Sequence, residues 1–156
     1  MSSLKPTDIL ILEKLFEMGD GYVLNFSNAS FQRFILDVCN IDIYDSKYAV
    51  YGESKANRLR RFWPVESDKT VGILINEMLT YWKTNREINA IKINENEAQI
   101  FNNCLKIANR LRGVTDKANL IDSSDITEEE FLKKEYENIT LEKLNIDSCQ
   151  VSQGCL

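Results

Sequence analysis

A chain of 156 residues with 44% apolar and 28% charged side chains is long enough for one domain with a hydrophobic core. Two prolines and six glycines supply few tight turns, which favours helices over an all-β plan. With no histidine in the chain, Ser-His-Asp and Cys-His nucleophile systems, histidine general bases and the Arg-x-His type of ribonuclease site are excluded.

The net charge of −5 is unevenly distributed. From Ile121 onward nine carboxylates stand against three lysines, a balance of −6 that leaves residues 1–120 near +1. The acidity belongs to the tail, so the low overall pI does not argue against an anion-binding surface on the body. Cys39, Cys104, Cys149 and Cys155 have no CxxC spacing, and Cys39 and Cys104 fall in apolar helical contexts that suit buried thiols. The sequence has no signal peptide and no long apolar run. A cytoplasmic protein with no membrane contact, no cofactor and no metal is therefore expected.

Pro6-Thr7-Asp8 opens a first helix, with Ile9, Leu12, Leu15 and Phe16 at helical spacing and Gly19-Asp20-Gly21 as its stop. Residues 22–26 read as a short extended connector. Ser27 is a good N-cap for a second helix with Phe31, Phe34, Ile35 and Val38 as the buried stripe and Asn40 at its end. Residues 41–53 read mainly as a tyrosine-rich loop. Ser54 caps a third helix predicted to end near Trp63, because Pro64 disfavours helical geometry in the residue before it.

Ser67 or Asp68 starts a fourth helix running to about Trp82, with Val71, Leu74, Ile75, Met78, Leu79 and Trp82 as a broad apolar stripe. Gly72 inside it costs about 1 kcal/mol against alanine, which implies close packing of a neighbouring helix. Residues 83–87 read as a polar turn, with Ile88, Ile91 and Ile93 near the helix end or in a connector. Asn94 begins a fifth helix with Ala98, Phe101, Leu105, Ala108 and Leu111 on one side and Gly113 as its C-cap. Beyond a polar connector, residues 125–130 read as the capped start of a sixth helix. The expected architecture is all-α: a compact bundle of five to six helices over residues 1–120, with the tyrosine-rich loop before the third helix. Residues 121–156 are expected to form an acidic helical extension, or a connector to a C-terminal domain outside the chain.

The most unusual stretch is 43–63. On a helical wheel, Ala56, Leu59, Phe62 and Trp63 share one side of the third helix, while Asn57, Arg58, Arg60 and Arg61 spread over the other, with Lys55 near the first turn. Four bases in so short a segment suit phosphates, an acidic protein surface or carboxylates of the same domain, since the arginine fork binds oxyanions in bidentate fashion. Tyr44, Tyr48 and Tyr51 beside them suit either base stacking or ordinary core and interface packing. The lack of a basic surplus over residues 1–120 disfavours a strong non-specific nucleic-acid binder. Asp42 and Asp45 could pair with Arg58 or Arg60, or hold a cation. No glycine pattern forms a phosphate loop.

These residues carry a family resemblance. Ile43-Tyr44-Asp45, then Gly52-x-Ser54-Lys55-Ala56-Asn57-Arg58-Leu59-Arg60-x-Phe62-Trp63, then Val71-Gly72, resembles the small N-terminal domain of bacterial abortive-infection proteins of the AbiJ type. The earlier stretch from Gly21 through Tyr22, Val23, Leu24, Asn25, Phe26, Ser27 and Asn28 to Phe31 fits the same pattern, with Asn25 where aspartate is expected. The resemblance covers roughly residues 9–82. It implies a phage-defence setting in which a front module senses or docks and a C-terminal effector, often of ribonuclease type, does damage. It carries no catalytic residue onto this chain.

The expectation is a non-catalytic sensing or protein-interaction module that docks through residues 54–63, with Lys55, Arg58, Arg60, Arg61, Tyr48 and Tyr51 as the binding residues. Its partner would be a C-terminal effector domain or another defence protein. The alternative is an RNA- or DNA-binding module using the same arginines. A homodimer would use Tyr48, Tyr51 and Trp63.

Overall fold

Short polar side chains set where the helices begin. The computed structural model describes residues 1–114 and contains, in chain order, α1 (Pro6–Leu15), α2 (Asn28–Cys39), a 3-10 turn (Ser46–Tyr48), α3 (Lys55–Val65), α4 (Asp68–Ile88) and α5 (Glu95–Arg112). Oxygens of Ser27, Ser54, Ser67 and Asn94 accept from the amides of Ser30, Asn57, Thr70 and Glu97, each closing the first turn of its helix. Asn40 and Gly113, both at left-handed φ, end α2 and α5. No strand occurs among the described residues, and the architecture is all-α as expected. The expected sixth helix and the acidic extension over 121–156 lie outside the described residues.

Three expected boundaries move. α1 ends at Leu15 rather than at the Gly19-Asp20-Gly21 run, because Glu17 takes a left-handed φ of 54° and lets Phe16 and Met18 both enter the core. Residues 22–26 contain a turn over Val23–Phe26 and a bond back to the end of α1, rather than being simply an extended connector. The Leu24 amide donates to the Phe16 carbonyl (2.9 Å) and the Phe26 amide to that of Val23 (3.2 Å), so Val23 and Phe26 point inward. α3 continues through Pro64 to Val65; a proline in the last turn removes few helical bonds, and the Glu66 amide still reaches the Phe62 carbonyl at 3.1 Å.

α4 also runs on to Ile88 instead of breaking into a polar turn at 83–87. Its last turns are held from outside: Arg86 pairs with Glu97 of α5 (2.5 Å) and lies 4.7 Å from the Trp82 ring, which itself packs 5.5 Å from Phe101. Tertiary contact outweighs a weak local preference.

α4 and α5 form the central antiparallel pair, α1 lies against α5, and α2 against α4. The expected stripes of α4 and α5 are buried throughout. Of the α2 stripe, Phe31 and Ile35 are buried while Phe34 and Val38 are only half-covered. A Cβ on Gly72 would lie 2.7 Å from Arg112 Cγ, 3.0 Å from Leu111 Cβ and 3.1 Å from the Ala108 carbonyl oxygen, so glycine is what lets the two helices approach. Phe26, Phe31, Phe34 and Tyr81 join the 22–26 segment to α2 and α4, with Phe26 stacked 4.5 Å from Tyr81. The Tyr81 hydroxyl donates to Asn25 Oδ1 at 2.6 Å, an acceptor role that the aspartate expected there would fill equally.

Candidate functional site

α3 carries the expected site, and no residue along it is exposed. Ala56, Leu59, Phe62 and Trp63 enter the core as the wheel requires. The opposite face is covered too, because the loops before and after α2 close over it. At its start, the Gly21 carbonyl accepts from the Ala56 amide at 3.1 Å, and Gly21 (φ 84°) leaves only 3.3 Å between a notional Cβ and Ser54 Cβ. The expected wet cationic face is therefore an interior seam. Helical periodicity places residues around an axis but does not show which loops return to cover them.

Three of the four expected bases bind inside the domain. Lys55, 9% exposed, donates from Nζ to Asn28 Oδ1 at 3.0 Å and sits 5.2 Å from the Tyr22 ring. Arg58, 8% exposed, donates from Nε to the Glu53 carbonyl and from Nη1 to those of Ile43 and Asp45, each at 3.2 Å, and lies 4.7 Å from the Tyr44 ring. It thereby holds both ends of the 43–53 loop, whose carbonyls have no regular ladder to satisfy them. Arg60 pairs with Glu13 of α1 and donates to Asn57 Oδ1 (2.9 Å) and the Met18 carbonyl (3.0 Å). Neither Arg58 nor Arg60 bonds the side chain of Asp42 or Asp45. Those carboxylates serve the loop instead: Asp42 accepts from Gln32 (3.0 Å) and the Tyr44 amide (2.9 Å), and Asp45 from the Lys47 amide (3.0 Å). These bonds from Gln32 and the Tyr44 amide hold the Asp42 carboxyl below its usual pKa.

Tyr48 is fully buried, 5.7 Å from Phe62, with its hydroxyl donating to Glu66. Burial, and then the Glu66 carboxylate, push its ionisation well above that of a free tyrosine. Tyr48 is thus a core residue rather than a binding residue. Trp63 is equally enclosed, so neither can build the expected dimer face.

Arg61 stands apart. The chain has seven arginines, and six have an oxygen partner: Arg33 on Asp37, Arg58 and Arg60 as above, Arg86 on Glu97, Arg110 on Asp8 and Arg112 on Asn109. Arg61 has no hydrogen bond or ion pair among the described residues, and its Nε is shielded from solvent without an acceptor. Its guanidinium carbon lies 5.8 Å from the ring of Tyr51, which is 54% exposed, and neighbouring Val50 is 62% exposed. The sequence pattern ranked Arg61 with the other bases and gave Val50 no role. Its signal was only position, an apolar residue next to a loop tyrosine.

Two shallow hollows flank α4 on either side of Thr80 and Thr84, about 280 Å³ over Phe101 and Leu105 and about 260 Å³ beside Phe34, Tyr81 and Ile88. None of the expected site residues lines either one. Among the described residues no histidine, cysteine or carboxylate cluster could hold a metal ion, and no helix is long and apolar enough to cross a membrane. Cys104 is buried and Cys39 half-buried, both as free thiols, and burial raises their pKa to about 12 and about 11. No protein-family model matches the chain, and no curated protein or solved structure does either.

Proposed function

We propose that the chain is a non-catalytic protein-interaction module, in the anti-phage setting that its resemblance to AbiJ-type proteins implies. It docks through Arg61, Tyr51 and Val50 rather than through the whole basic helix. The observation that supports this reading is the separate state of Arg61: six arginines bind oxygens within the domain, whereas this half-buried one binds none among the described residues and lies beside the exposed Tyr51. Arginine and tyrosine are over-represented among the residues that dominate protein interfaces. A C-terminal effector domain or another defence protein remains the partner class that the resemblance implies.

The test compares proteins cross-linked to the wild-type chain with those cross-linked to a Tyr51→Ala/Arg61→Ala double variant of the same folded state. Specific cross-links that disappear in the double variant support the reading, and an unchanged set contradicts it. RNA or DNA binding with a steep salt dependence, lost in Arg61→Ala, would favour the nucleic-acid alternative instead.

A further inference from the structure

We infer that the partner segment bound at Arg61 is an acidic one, presenting a carboxylate to the guanidinium and an adjacent apolar side chain to Tyr51 and Val50. This inference rests on the docking reading above and names its partner chemistry.

A guanidinium has five N–H donors in a fixed plane, which matches the two oxygens of a carboxylate. In Arg61 the Nε–H is shielded and unmatched, and the half-buried guanidinium has no hydrogen bond among the described residues. An incoming oxyanion can therefore meet the outer edge of the fork without displacing any existing acceptor. At Arg58 or Arg60 the same ligand would have to break bonds to the Ile43, Asp45 and Glu53 carbonyls, or to Glu13 and Met18. Of the three arginines on α3, Arg61 alone can take an external oxyanion without breaking a bond within the domain.

The choice of a carboxylate over a nucleic-acid phosphate follows from number and surroundings. Nucleic-acid affinity grows with the number of phosphates neutralised, and Lys55, Arg58 and Arg60 are all engaged within the domain. The exposed Glu53 sits two residues from Tyr51, which penalises a polyanion more than a single carboxylate. Tyr51 adds exposed apolar surface beside the charge, and its sequence neighbour Val50 is exposed as well. A partner side chain that covers them excludes water from the ion pair and strengthens it.

The test uses the full chain against an array of short peptides. Each carries one glutamate or aspartate beside Leu, Ile, Phe or Tyr, and is printed with its glutamine or asparagine counterpart. Oligo-dT and oligo-U are titrated in parallel. The expected result is a set of acidic peptides at least tenfold tighter than their amide counterparts, a preference that Arg61→Gln removes. Circular dichroism of Arg61→Gln should match wild type, and Arg61→Lys should restore part of the binding. Equal binding of acid and amide peptides, or an acid preference that survives in Arg61→Gln, overturns the inference. So does tighter binding of the oligonucleotides that depends on Arg61. If amide peptides bind equally well and lose binding with Tyr51→Ala, the docking surface stands and the acidic partner falls. If no probe shows dependence on Tyr51 or Arg61, both fall.

Discussion

Between α4 and α5 the contacts are mainly apolar, with the Arg86–Glu97 pair at one end, and at the other the backbones come so close that Gly72 has no room for a Cβ. Around α3 the bracing is polar: an ammonium and two guanidinium groups reach across to Asn28, to four loop carbonyls and to Glu13. The difference reflects what each region has to hold. Two regular helices satisfy their own backbones and need only matching surfaces. The irregular loops over 17–26 and 41–53 have no ladder, so side-chain donors supply the bonds their carbonyls would otherwise lose. The first kind of contact fixes where helices lie; the second fixes loops that would otherwise have no preferred shape.

Arg58→Ala breaks this contrast most sharply. It removes three bonds to loop carbonyls and the cation over Tyr44, and it should cost about 3 kcal/mol in urea unfolding. A loss under about 1 kcal/mol would mean that the loop holds its shape without the arginine. Gly72→Ala probes the other region. Helix propensity alone would make alanine more stable by about 1 kcal/mol, but overpacking against Leu111 and Ala108 should reverse the sign, with a net loss of about 1–2 kcal/mol. A stabilised variant would show that the helices have room to part.

Arg60→Ala should fall lower, at about 1 kcal/mol, because the Glu13 pair is partly exposed and screened. A smaller effect still is expected at Asp8, where α1 meets α5. Burial works to raise its pKa, but the Arg110 bond at 2.6 Å and the Lys5 amide at 3.0 Å outweigh burial and lower it. A depressed folded pKa gives stability that is fully present above the unfolded value near 4 and lost as pH falls through the folded value. The stability gap between wild type and Asp8→Asn should therefore narrow from pH 6 to pH 3. A gap that stays constant would contradict the pairing.

The same contrast explains what the sequence made legible. The stripes of α4 and α5, the serine and asparagine caps and the close approach at Gly72 are local or periodic signals, and each was readable in the chain. The partners of Lys55 and Arg60 were not, because Asn28, Glu13 and Met18 lie far away in sequence and no local rule selects them, and Arg58 meets the backbone carbonyls of its nearby loop rather than an aspartate side chain. The left-handed turns at Glu17 and Leu24 were also hidden, since neither is a residue that favours positive φ. Most of the fold was therefore legible. The candidate site was legible only as a group of bases, without the division that leaves Arg61 apart from its neighbours.

That division is tested most directly by unfolding Arg58→Ala and Arg61→Ala side by side in urea. Arg61→Ala should stay within about 0.5 kcal/mol of wild type, while Arg58→Ala falls by about 3 kcal/mol, although the two residues lie one turn apart on α3. Equal losses in the two variants would contradict the account, since Arg61 would then be one more internal brace.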